Sequence, residues 1–167
     1  MIYEFIKGFH KNKLSSLEIK SSSLNIKKYH KIKPKIKSYD IKQDLKNYNK
    51  SLSDFKSKKI LNQSFRALNF VKKYKKDLVL THHDLNPKNI IFFKHNIKII
   101  DWEYSGINDR FFDLASFCVE FNLNKKDEKI VLKNYFFKYS KNEEKKLKYF
   151  KIIYKNLCEL WFMKNLF

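Results

Sequence analysis

Apolar residues along the chain recur at two periods, and the changes of period mark the elements. Between residues 60 and 74, Ile60, Leu61, Phe65, Leu68 and Val71 return at helical spacing, which predicts an amphipathic helix. From Asp77 to Thr81 the pattern turns β-like. Two short apolar runs, 90–93 and 97–100, are separated by Lys94, His95 and Asn96, the pattern of a hairpin with a three-residue loop. Helical spacing resumes after Asp113 as far as Leu123, and again from Asp127 to Tyr139. In the last stretch Leu147, Phe150, Tyr154, Leu157 and Trp161 form a stripe that needs a partner surface. The pattern predicts an α+β, mainly helical fold with one small hairpin and no linker that would divide residues 1–167 into two domains.

Composition adds to this picture at two places. The Lys/Ser/Asn-rich stretch 20–58 contains Pro34 and few large apolar side chains, and it reads as a basic, low-complexity insertion. The chain as a whole is 43% hydrophobic and 17% aromatic over 167 residues, enough to close one core. A formal charge of +20 points at first to nucleic acid. Only Arg66 and Arg110 are arginines, however, and lysine is the poorer residue for bidentate phosphate and base recognition. Lysine excess accompanied by Asn, Ile, Phe and Tyr is read as compositional drift, with no nucleic-acid partner; a basic nucleic-acid-binding helical protein is the alternative. Cys118 and Cys158 lie in no metal-ligand or redox spacing, which suits reduced thiols and a cytoplasmic location. Glu4 and Lys7 interrupt the apolar run at residues 1–10, and no stretch approaches eighteen apolar residues, so no membrane insertion is expected.

The chemistry concentrates in Thr81-His82-His83-Asp84-Leu85-Asn86-Pro87-Lys88-Asn89 and in Ile100-Asp101-Trp102-Glu103. Asp84 and Asn89 have the spacing of a kinase catalytic loop, and Asp101 follows the hairpin where a metal-binding aspartate of that system falls. A loop centred on His95 places Ile90 opposite Ile100 and Ile91 opposite Ile99. Asn89 and Asp101 then face each other across the open end of the hairpin, with Cα atoms about 4.5 to 5.5 Å apart. A carboxylate and an amide oxygen so placed suit Mg²⁺, a hard cation that completes its octahedron with water and phosphate oxygens. Asp84, one loop earlier, is placed to accept the proton of an attacking hydroxyl. Taken singly, Asp84, Asn86 and Pro87 also fit an ordinary turn, and Asp113 fits a helix N-cap.

His82-x-Asp84 with Asn89, then residues 100–106, the pair Asn108-Asp109, and Phe112-Asp113-Leu114-Ala115 resemble the aminoglycoside phosphotransferase and choline kinase superfamily. Asp101-Trp102-Glu103-Tyr104, the Asn-Asp pair and Glu120 are similar to the choline/ethanolamine kinase branch, particularly its bacterial members. The resemblance is dense over 78–123, the implied catalytic core, and diffuse over the C-terminal helices of 124–167. It implies the C-terminal lobe of a protein-kinase-like fold and ATP-dependent, Mg²⁺-dependent phosphorylation of choline or a similar amino alcohol. By resemblance, Asp84 is the catalytic base, Asn89 and Asp101 are Mg²⁺ ligands, and His82 and Asp113 support the catalytic loop. A quaternary ammonium needs aromatic faces and a carboxylate, for which Glu103, Tyr104, Glu120 and Trp161 are candidates. Cys158 stands where the first tryptophan of the family's Trp-x-x-Trp helix is expected, which thins the cage.

Residues 1–8 are similar to the hinge between the two lobes, with Tyr3, Glu4, Phe5 and Ile6 facing the nucleotide. No Gly-rich loop or strand lysine precedes them, since the only glycines are Gly8 and Gly106. The expectation is therefore a truncated chain whose N-terminal lobe is absent or separately encoded, weak or inactive alone. A non-catalytic pseudokinase remnant is the competing reading.

Overall fold

The computed structural model describes residues 7–93 and 96–165. Among the described residues six α-helices carry the fold: α1 (Ser16–Tyr29), α2 (Ile41–Ser51), α3 (Phe55–Val71), α4 (Phe111–Glu120), α5 (Lys125–Phe136) and α6 (Lys141–Asn165). Between α3 and α4 run four short strands, β1 (Leu78–Thr81), β2 (Ile90–Phe93), β3 (Asn96–Ile99) and β4 (Gly106–Asp109). The mainly helical α+β fold expected from the pattern is present.

The long α6 packs against both α3 and α4, while α1 packs on α5 and α2 on α3. Leu147, Phe150, Ile153, Tyr154, Leu157 and Leu160 form the buried stripe of α6. The stripe continues through Leu160, and Trp161, one residue on, is 48% exposed. At about 100° per residue Trp161 still falls within the angular range of this stripe, so helical phase alone does not account for its exposure. Helix α4 is apolar almost all round and buried from Phe111 to Cys118, the mark of a central helix.

The stretch from 20 to 58 is built into this core rather than set apart from it. A capping box between Ser15 and Glu18 opens α1, and Asp40 and Asp54 cap α2 and α3 through their side chains. Ile19, Ile26, Tyr29, Ile41 and Leu45 are buried. Between α1 and α2, Tyr39 N–H donates to the Ile107 carbonyl at 2.9 Å and Ile107 N–H to Lys37 at 3.1 Å, tying the segment to β4.

Two details of the strands differ from expectation. A second antiparallel pair, β1 with β4, stands beside the hairpin of β2 and β3. The hairpin register is also shifted by one residue: Ile90 pairs with Ile99, Ile91 with Lys98 and Phe92 with Ile97. The expected register would set Phe92 opposite Lys98. The observed one places buried Ile90 and Phe92 opposite Ile99 and Ile97 on the core side, and burial of one face decides the register. Asn89 consequently lies opposite Ile100, whose N–H donates to the Asn89 carbonyl at 3.0 Å, and Asp101 falls one residue beyond the paired position.

Candidate active site

The site is assembled around Asp113. This carboxylate lies in the first turn of α4 and is fully buried. It is not the N-cap, a position held by Arg110. Its Oδ1 accepts the His83 N–H at 2.9 Å, and its Oδ2 accepts the His82 N–H at 2.8 Å. The same Oδ2 takes the Tyr29 hydroxyl at 2.5 Å and His30 Nε2 at 3.0 Å. Burial pushes the carboxyl up in pKa, but the His30 bond and charge, His83 and Tyr29 outweigh it and hold the value at about 2.

The two histidines of the loop fasten it to the segment after the hairpin. His82 Nε2 donates to the Ile100 carbonyl at 2.9 Å, and its Nδ1 accepts the Asp84 N–H at 3.3 Å. A carbonyl accepts only, so these bonds assign the Nε2–H tautomer to a neutral His82 ring. His83 Nδ1 donates to the Tyr104 carbonyl at 2.7 Å, and Nε2 lies 2.8 Å from Thr81 Oγ1 and 3.1 Å from Asn108 Nδ2. Burial is the main reason its imidazole titrates below the ordinary histidine value, although Asp113 pulls the other way. His83 has φ 72° and Asp101 φ 65°, left-handed conformations that non-glycine residues adopt at a cost. Both strained residues adjoin the candidate chemistry.

Asp84 is half-buried. Its Oδ2 accepts the side-chain amides of Asn86, at 2.9 Å, and Asn89, at 2.8 Å, while Asn89 Nδ2 also reaches the Asp84 carbonyl at 2.9 Å. Both donors converge on one carboxylate oxygen, and no described donor reaches Oδ1. Asn86 additionally caps the 3₁₀ turn Pro87–Asn89 that carries Asn89 into β2. From the other side, His10 Nδ1 lies 3.0 Å from both the Pro87 and the Ile90 carbonyls, and Phe9 pairs with Phe92. This strap lies so close to β2 that a Cβ on Gly8 would meet Ile91 Cγ2 at 2.4 Å and the Phe92 carbonyl oxygen at 2.7 Å.

Asp101 is exposed, and Trp102 beside it is anchored by donation from Nε1 to the Ile99 carbonyl at 3.1 Å. The Tyr104 hydroxyl is raised in pKa first by the Glu103 charge, then by desolvation and the Glu103 hydrogen bond, and further by Asp84 and Asp101. Carboxylates from both loops therefore bear on one exposed phenol, in a chain whose net charge is +20. Among the described residues no group of three or more His, Cys, Asp or Glu gathers as a metal centre. One carboxylate and one amide oxygen form the sparse, hard donor set that suits Mg²⁺, with phosphate and water completing the shell. Asn89 fits that use, because its Nδ2 is committed to Asp84 and no described donor reaches its Oδ1.

The remaining candidates make contacts of their own. Glu120 accepts the Tyr154 hydroxyl at 2.8 Å. Burial, then the charges of Glu120 and Asp84, push the nearby Cys158 thiol up to about 11 against the Tyr154 bond. Trp161 packs edge-on with Phe162, and no described hydrogen bond or ring contact joins it to Asp84 or Asp101. Tyr3, Glu4, Phe5 and Ile6 lie outside the described residues. Sequence reasoning missed Tyr29, His30 and Asn86, and it also missed Tyr39, whose hydroxyl is raised by burial and by Asp44 beside it. Asn86 was legible as an Asx cap before Pro87, whereas no local signal pointed to the others.

The family model described as choline/ethanolamine kinase matches residues 1–156. A LicA homolog from Metamycoplasma hominis is 32% identical over 162 residues, covering 95% of this chain and 64% of that protein. Protein LicA from Haemophilus influenzae is 37% identical over 100 residues, 53% of this chain and 28% of its own length. Among solved structures, a choline/ethanolamine kinase family protein from Mesorhizobium loti superposes with a TM-score of 0.83 at 20% identity, covering 97% of this chain and 59% of that one. Choline kinase LicA from Streptococcus pneumoniae gives 0.82 at 20% identity, covering 98% and 61%. The chain thus spans about three fifths of those structures, in the arrangement of a kinase-like C-terminal lobe. With the family model covering nearly its whole length, this chain belongs to the choline/ethanolamine kinase family.

Proposed function

We propose that the chain takes part in transfer of the γ-phosphoryl group of ATP to the hydroxyl of choline or a similar amino alcohol. Asp84 is the base, Asn89 and Asp101 hold Mg²⁺, and Tyr3 to Ile6 border the nucleotide. The observation that supports this most is the state of Asp84. Two amides fix its Oδ2 while Oδ1 has no described donor, so one oxygen orients the carboxylate and the other is left to receive a proton. The metal, when bound, neutralises charge on the phosphate oxygens. Glu103, Tyr104 and Glu120 are proposed to meet the cationic end of the substrate. Carboxylates and an exposed phenol suit an ammonium that offers no hydrogen-bond donor.

The test is Mg²⁺-dependent phosphoryl transfer from ATP to choline and ethanolamine. It is run on the chain alone and with a relative's first-lobe polypeptide added, because the chain spans about three fifths of the solved relatives. Asp84→Asn is expected to lower turnover by about 10² to 10⁴ with the melting temperature unchanged. Turnover insensitive to this substitution overturns the assignment of the base. Absence of turnover under both conditions, with no Mg²⁺-dependent nucleotide binding, overturns the phosphotransferase reading.

A further inference from the structure

Tyr29 and His30, consecutive at the C-terminal end of α1, both reach Asp113 Oδ2 although 83 or more residues separate them from it in sequence. His30 is held in turn from the opposite side, its Nδ1 lying 2.6 Å from the Tyr135 hydroxyl of α5. Nε2 bonds the carboxylate and Nδ1 bonds the Tyr135 hydroxyl, so every polar atom of the pair is engaged. Tyr29 and His30 are buried, and Asp113 is completely so. The Tyr29 ring also meets the edge of Trp102, with centroids 4.9 Å apart, and Trp102 meets His82 at 4.7 Å. One end of α1 thus touches the anchor of the Asp84 loop and the residue next to Asp101.

We infer that Tyr29 and His30 are positioning residues that fix, through Asp113, the backbone of His82 and His83 and hence the direction of Asp84. This role rests on the reading of Asp84 as the base. Asp113 Oδ1 serves His83 N–H and Oδ2 serves His82 N–H, so the carboxylate plane sets the loop only if the carboxylate itself cannot turn. Inside helix α4 its rotamer has freedom about two bonds. The Tyr29 and His30 donors remove that freedom by pulling on Oδ2 from the α1 side, and packing of α1 on α5 keeps them there. His83 has φ 72°, so a loosened carboxylate lets this residue relax out of the left-handed conformation and carry Asp84 with it.

The test is residue-resolved amide hydrogen exchange of the full chain, comparing wild type with Tyr29→Phe, His30→Leu and His30→Gln. Tyr29→Phe removes a single hydroxyl and keeps the ring packing, so it remains informative if His30→Leu fails to fold. Protection of the His82 and His83 amides is expected to fall about tenfold in Tyr29→Phe, the effect of one lost hydrogen bond, with α3 and α6 amides much less affected. His30→Gln, which retains a donor, is expected to recover part of the protection that His30→Leu loses. An even fall across all helices shows a merely structural role and overturns the inference, as does unchanged protection at His82 and His83. In the phosphotransfer assay the same variants are expected to lower kcat and leave KM unchanged. If wild type shows no turnover, the functional reading fails by itself, and the exchange measurement still decides this one.

Discussion

Residues 78–123 and residues 15–54 are equally part of the core, yet they wrote themselves into the sequence in opposite ways. The first region is dense in groups whose chemistry demands an identity at a spacing: His82, Asp84, Asn89 and Asp113 each have a partner that no other side chain would satisfy in the same way. The second region holds its place with Ile19, Ile26, Tyr29, Ile41 and Leu45, spread among lysines, serines and asparagines. Serines complete its inner face, with Ser22 and Ser23 fully buried on α1 and Ser23 Oγ donating to the Ile19 carbonyl at 2.7 Å. A sparse apolar stripe filled out by small hydroxyl residues packs closely but looks like low complexity. Composition reports average polarity, whereas burial depends on a few residues per turn.

The largest effect that would test this contrast is at the joint between the two regions. Asp113→Ala leaves the His82 and His83 amides, the Tyr29 hydroxyl and His30 Nε2 without their buried acceptor. A loss of about 3–5 kcal/mol is expected by urea denaturation. The same carboxylate makes stability depend on pH with a definite sign. Its folded value of about 2 is below the ordinary 3.8, so its contribution is complete above the ordinary value and disappears as pH falls toward 2. That contribution is about 2 kcal/mol. The stability difference between wild type and Asp113→Asn should therefore narrow as pH drops through this window. A difference that stays constant would mean the ionised form is not what the network holds.

Much of the candidate site was legible because its residues announce themselves in one continuous stretch. Long-range partners were not. Nothing near Tyr29 or His30 indicates an acceptor more than 80 residues away, and β4 carries Gly106 and Asn108 where a strand pattern expects apolar alternation. Its pairing with β1 comes from tertiary context. The register of the hairpin was misread for a related reason. Ile99 and Ile100 are interchangeable by apolar content, and only the burial of Ile90 and Phe92 on one face distinguishes the two alignments. The signals that were available for the lysine-rich stretch were caps rather than apolar content: Ser15-x-x-Glu18, Asp40 and Asp54 each stand directly before a helix.

A smaller effect sharpens the comparison within α1. Ile26 of α1 is fully buried, so Ile26→Ala is expected to cost about 2–4 kcal/mol in thermal or urea unfolding. Leu17, on the same helix, is 76% exposed, and Leu17→Ala should stay within about 0.5 kcal/mol of wild type. Were the lysine-rich stretch peripheral to the fold, the two substitutions would cost the same.

The smallest expected effect concerns the signal that marks α1 most clearly in the sequence. Ser15 Oγ accepts the Glu18 N–H at 3.4 Å, and Glu18 Oε2 accepts the Ser15 N–H and hydroxyl, each at 2.9 Å. Lys11 pairs with the same glutamate. All of these groups are at least partly open to water, so solvent replaces most of what a substitution removes. Ser15→Ala is expected to cost about 1 kcal/mol, and Ser15→Asp, which keeps an acceptor at the cap, only a few tenths. The site should not register the change beyond its share of the global loss, because Tyr29 and His30 lie at the far end of a 14-residue helix that packs on α5. Amide protection at His82 and His83 should therefore fall no more than protection in α6. A selective fall at those two amides would show that α1 transmits its end effects as a rigid rod, and that the cap belongs to the machinery of the site.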